Sequence, residues 1–84
     1  MQDCSRRKQY VEVLVRHGID GTVQPKTIVM ANGPSYKIDR VKGISRAKTP
    51  HPGEAVLRYT ILIGSHETYL YEDNGRFYVE IKEH

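Results

Sequence analysis

The sequence predicts an all-β domain of about six antiparallel strands in a meander, closing into a curled sheet or small barrel. Three observations carry that prediction. Apolar and polar residues alternate with a period of two in several segments, as in Val11, Val13 and Val15 or Phe77, Val79 and Ile81. Short turns rich in Gly, Asn and Asp separate those segments. No segment has the length and period of a crossover helix, so neighbouring strands must run antiparallel.

The elements follow in chain order. Residues 1–8 are polar and basic, with no residue able to anchor to a core, and read as a flexible basic leader ahead of a single domain spanning 9–84. The first strand runs from about Gln9 to His17, with Val11, Val13 and Val15 on one face and Tyr10, Glu12 and Arg16 on the other. A helix from Ser5 would waste Val13, and β-branched residues favour strands. Gly18-Ile19-Asp20-Gly21 turns the chain. The second strand, about Thr22–Met30, contains Pro25, which has no N–H and marks an edge or a bend.

Ala31 to Ser35 form the next turn, with Asn32-Gly33 at its centre. The third strand starts at Tyr36 and runs to about Ala47. Its phase breaks between Ile38 and Val41, which a bulge near Asp39-Arg40 would repair, and Gly43 marks a second bend. Residues 49–54 are the one longer loop, stiffened by Pro50 and Pro52. The fourth strand, about Val56–Gly64, places Leu57, Tyr59, Ile61 and Ile63 on one face and Leu62 on the other, as expected of a central strand. The fifth spans about Glu67–Glu72 and the sixth Arg76–Lys82. Asn74-Gly75 between them is the strongest hairpin signal in the chain.

Ile19-Asp20-Gly21, Pro25 with Ile28, Gly33 with Tyr36-Lys37-Ile38-Asp39, Arg58-Tyr59-Thr60 and Gly75-Arg76-Phe77-Tyr78-Val79 together form a pattern across most of residues 9–82. It resembles small uncharacterised all-β proteins of bacteria. The matching residues are turn glycines and core aromatics, so the resemblance implies a similar small sheet and carries no activity with it.

Composition narrows the function. A chain of 84 residues is one domain, burying roughly 60–65% of its unfolded surface, with little room for a deep catalytic cavity. The single cysteine, Cys4, excludes an intrachain disulfide framework and points to the cytoplasm. No apolar run approaches the length of a bilayer span, and no apolar region follows the basic residues at the start, so neither a membrane nor a signal peptide is expected. Net charge is +3, divided between +6 over residues 1–48 and −3 over 49–84.

Chemistry-bearing motifs are scarce. His17, His51 and His66 lie in separate turns, away from any zinc spacing, so no metal and no cofactor is expected. Cys4 sits in the leader without a base, and Ser65-His66 are chain neighbours, not a built Ser–His pair. Glu72 and Asp73 read as the solvated flank of a hairpin. A non-enzymatic binding domain remains. The first expectation is a protein partner or self-association, through the sheet edges at the second and last strands and through exposed Tyr69, Tyr71 and Tyr78. The alternative is nucleic acid, held by a basic arm of Arg6, Arg7 and Lys8 and a basic run of Lys37, Arg40, Lys42, Arg46 and Lys48, with Tyr10 and Tyr36 available for stacking. In a regular strand Arg40 with Lys42, and Arg46 with Lys48, would share a face. The competing explanation is that these cations keep strand edges soluble.

Overall fold

A computed structural model describes residues 6–47 and 55–82. Seven strands follow in order: β1 (Arg6–His17), β2 (Val23–Val29), β3 (Ser35–Lys37), β4 (Arg40–Ala47), β5 (Val56–Ile63), β6 (His66–Asp73) and β7 (Arg76–Lys82). All pairings are antiparallel, in the spatial order β3-β2-β1-β7-β6-β5-β4. The domain is all-β, as its alternation and turns predict. The extra strand arises because the expected third strand breaks at Ile38-Asp39 into β3 and β4.

That break determines the shape. β3 and β4 stand at opposite ends of the sheet order yet are consecutive in the chain. The Ile38 N–H donates to the Lys26 carbonyl of β2 and the Asp39 N–H to the Leu62 carbonyl of β5, both at 2.8 Å. The two ends of the sheet are thereby tied, and the sheet curls into a half-barrel. Ile28, Ile38, Tyr59, Ile61 and Leu70 fill its interior, with Val11, Val13, Met30, Val41, Ile63, Phe77 and Val79 packed around them.

Two bulges support the curl. Leu14 faces Thr27 while Val15 faces Pro25, so Lys26 is an extra residue in β2. Pro25 and Ile28 consequently both turn inward and are buried. In β4, Val41 faces Ile61 while Gly43 faces Thr60, which makes Lys42 the second extra residue.

Two expectations differ from the structure. Arg6, Arg7 and Lys8 belong to β1 and not to a leader: they pair with Lys82, Ile81 and Glu80, because β7 runs far enough to supply partners. The Pro25 strand and the last strand are not edges. β2 lies between β1 and β3, and β7 between β1 and β6. At Pro25 itself the expected edge or bend is present: β3 pairs only with Thr27, Ile28 and Val29, so the β3 side of Pro25 is uncovered, and the bulge lies beside it. The irregularity expected near Asp39-Arg40 is the strand break itself, and the bulge at Lys42 lies beside Gly43, where a second bend is expected.

Candidate functional site: a tyrosine and cation face

Residues directly opposite in an antiparallel sheet share a face. Arg58 of β5 lies opposite Tyr71 of β6, Tyr71 opposite Tyr78 of β7, and Tyr78 opposite Tyr10 of β1. One row therefore crosses four strands on the outside of the half-barrel, away from the core. Tyr71 and Tyr78 stack with centroids 5.1 Å apart and planes 7° apart, and Tyr10 meets Tyr78 edge-on at 5.4 Å.

Cations cover the rings. The Lys8 ammonium lies 4.9 Å from the Tyr78 centroid, and the guanidinium carbons of Arg58 and Arg76 lie 4.7 Å from those of Tyr69 and Tyr10. Such contacts stabilise by about 0.5–1 kcal/mol at exposed sites and more where water is excluded. The Arg58 Nε is buried and has no hydrogen-bond acceptor among the described residues. The guanidinium lies over the Tyr69 ring instead.

The tyrosines divide into a base and a rim. Tyr78 was expected to be exposed but is only 3% accessible. Tyr10, Tyr71 and Lys8 enclose it from three sides, and burial, followed by the negative charge of Glu80, pushes its phenol up to about 12. Tyr71 is half-buried. Tyr10 and Tyr69 each remain 41% exposed and present the accessible rings. Acidic residues interleave with the cations on this same face: Glu12, Glu67, Asp73 and Glu80.

The basic residues do not form one surface. Lys8 belongs to the tyrosine face, and Arg6 and Arg7 are rungs of the β1–β7 ladder. Lys37 is exposed on short β3, opposite Thr27. Arg40 lies opposite Leu62 on the outer face, and Lys42 pairs with Glu67 at 2.9 Å. Beyond the bulge the phase reverses. Arg46 lies opposite Leu57, on the face to which Tyr59 and Ile44 belong, so it points away from Arg40 and Lys42. Lys48, like Cys4 and His51, lies outside the described residues. Tyr36 stands on β3, across from Ile28 and away from the tyrosine row.

Arg58 and Arg76 belong to the sequence pattern of turns and aromatics, but nothing there assigns them to a binding face. Hairpin arithmetic would have found part of the site, because a two-residue loop at Asn74-Gly75 places Tyr71 opposite Tyr78. Tyr10 joins the row only through the long-range β1–β7 pairing. No cluster of His, Cys, Asp and Glu suited to a metal ion occurs among the described residues. No helix there is long and apolar enough to cross a membrane. Comparisons with protein-family models, curated proteins and solved structures each return no match.

Proposed function

We propose that this chain is a non-catalytic binding domain that takes a protein partner on the tyrosine and cation face. The observation that carries this reading is the row Arg58–Tyr71–Tyr78–Tyr10, pre-ordered by stacking on rigid strands and bordered by the accessible rings of Tyr10 and Tyr69. Tyr and Arg are the residues enriched in the energetic centres of protein interfaces. Their rings are already fixed here, so little side-chain entropy is lost on docking. A cytoplasmic setting belongs to the same proposal and rests on the single cysteine.

Phosphate recognition has weaker support. Glu12, Glu67, Asp73 and Glu80 lie among the cations, Glu67 occupies Lys42, and Arg46 points to the other face. A polyanion would meet this interleaved charge along its whole path.

The test is capture from native extract by immobilised wild-type protein and by Tyr10→Ser/Tyr69→Ser, with nuclease treatment and added salt. A partner retained after nuclease and salt, and lost in the double variant, supports the reading. Retention by the double variant overturns it. So does binding that disappears with nuclease and falls steeply with salt, the signature of released counterions.

A further inference from the structure

β1 has twelve residues, but β7 covers only its first half on one side, from Arg6 to Val11. β2 covers the second half on the other side, from Glu12 to His17. Among the described residues nothing pairs with the β7 side of β1 beyond Val11. The chain therefore has a free strand edge in the middle of its sheet order.

The hydrogen-bond phase of that edge follows from the hairpin. Asp73 and Arg76 close a two-residue loop and form a hydrogen-bonded pair, as does Tyr71 with Tyr78. Phe77, Val79 and Ile81 then direct their backbone groups to Val11, Gln9 and Arg7 of β1. Continuing the alternation, Val13 and Val15 point their N–H and C=O groups at the free edge. A cleft opens beside them, lined by Val11, Val13, Val15, Gly75, Arg76 and Phe77. Arg76 borders this cleft with its guanidinium over the Tyr10 ring, which also lines it.

The side chains along the edge are self-complementary. Glu12-Val13-Leu14-Val15-Arg16 reads the same in both directions except for its charges, which are opposite at the two ends. Glu12, Leu14 and Arg16 share the outer face. Leu14 is 55% exposed, and among the described residues neither Glu12 nor Arg16 has a side-chain partner.

We propose that Glu12–Arg16 pairs with the same segment of a second copy of this chain, in an antiparallel ladder about a two-fold axis through Leu14. In that register each Val13 faces the Val15 of the other copy and exchanges both backbone hydrogen bonds with it. The two Leu14 side chains meet at the centre. Each Glu12 lies opposite an Arg16, giving two ion pairs across the axis. The ladder stops on each side where β7 takes over at Val11. An open apolar edge without Pro or an inward-pointing charge is the kind of surface that pairs with another strand. The contact is short, so the dimer is a weak, reversible one. The proposal does not depend on the tyrosine-face reading, and its variants leave Tyr10, Tyr69 and Tyr71 in place.

Sedimentation equilibrium of the full chain, up to millimolar concentration, tests it. The wild type should show a reversible monomer–dimer equilibrium. Leu14→Lys, Glu12→Arg and Arg16→Glu should each weaken it by about tenfold or more, with circular dichroism confirming that these surface variants fold. The double variant Glu12→Arg/Arg16→Glu restores opposite charges across the axis and should recover most of the loss. A wild type monomeric throughout overturns the proposal. A dimer indifferent to these changes, or a double variant no tighter than the single ones, overturns it as well.

Discussion

Tyr59 places its ring in the interior, 4% accessible, while its hydroxyl donates to Glu72 Oε1 at 2.8 Å. Burial, and then the hydrogen bond and charge of Glu72, push this phenol up to about 12. Tyr78 is raised to about 12 as well, chiefly by burial. In the unfolded chain both groups ionise near 10. Unfolding therefore releases phenolic protons as the pH climbs. The stability linked to these groups is fully present below about 10 and is lost as pH rises through about 12. Denaturation measured across that window should show the decline, and a tyrosinate titration should show a late phase from Tyr59 and Tyr78. Tyr59→Phe should remove part of that phase and cost about 1 kcal/mol at neutral pH, because half-buried Glu72 loses its donor. A wild-type titration without a late phase would count against this assignment. The inward position of Tyr59 was legible from the alternation of its strand. The role of Glu72 was not, because its neighbour across the sheet is set by the β5–β6 register and not by the hairpin tip it flanks.

The elements are held by two devices of different visibility. Asn74 and Gly75 both adopt positive φ, 53° and 82°, which makes the β6–β7 loop the primed turn that Asn-Gly predicts. An added Cβ at Gly75 would meet no atom within 4 Å, so any penalty there is conformational and not steric crowding. Gly75→Val should therefore cost about 1 kcal/mol or more, whereas Gly75→Asn should be tolerated, since Asn enters the left-handed region readily. Equal melting temperatures for the two variants would refute the assignment. The second device is Asp39, where the sequence predicts only a bulge. Its carboxylate accepts a hydrogen bond from the Gly64 N–H at 2.6 Å, and its own N–H donates to Leu62. It thus fastens the β3–β4 break to the β5–β6 turn. Asp39→Ala should lower stability by about 1–3 kcal/mol, and hydrogen exchange should accelerate at Gly64 before it does in β7. Uniform acceleration across the sheet would argue against a local clasp.

At the scale of the whole molecule, curling separates two surfaces. The inner one holds the core, with Tyr59 and Phe77 among its aliphatic residues, and the outer one carries the tyrosine row. The β1 edge adjoins both, because Val13 and Val15 face inward while Glu12, Leu14 and Arg16 face out. In the proposed dimer the two-fold axis is perpendicular to the joined sheet, so both tyrosine faces lie on one side. A partner with two matching sites would then gain avidity without any new contact. Leu14→Lys should abolish that gain while leaving single-site affinity unchanged, which monovalent and bivalent probes of the captured partner can distinguish.

The fold class, the positions of the turns and the inward sets on β1, β5 and β7 are written in the sequence, because each depends on neighbours two to four residues apart. Period-two alternation and a residue's tolerance of positive φ are local properties. Strand order, the tied ends at Ile38-Asp39, the burial of Tyr78 and the reversal that separates Arg46 from Arg40 and Lys42 were decided only by tertiary structure. Each depends on which strand lies beside which, and a single extra residue, Lys26 or Lys42, exchanges the faces of everything beyond it. That choice rests on long-range pairing and the shape of the core, for which no short window of sequence carries a signal.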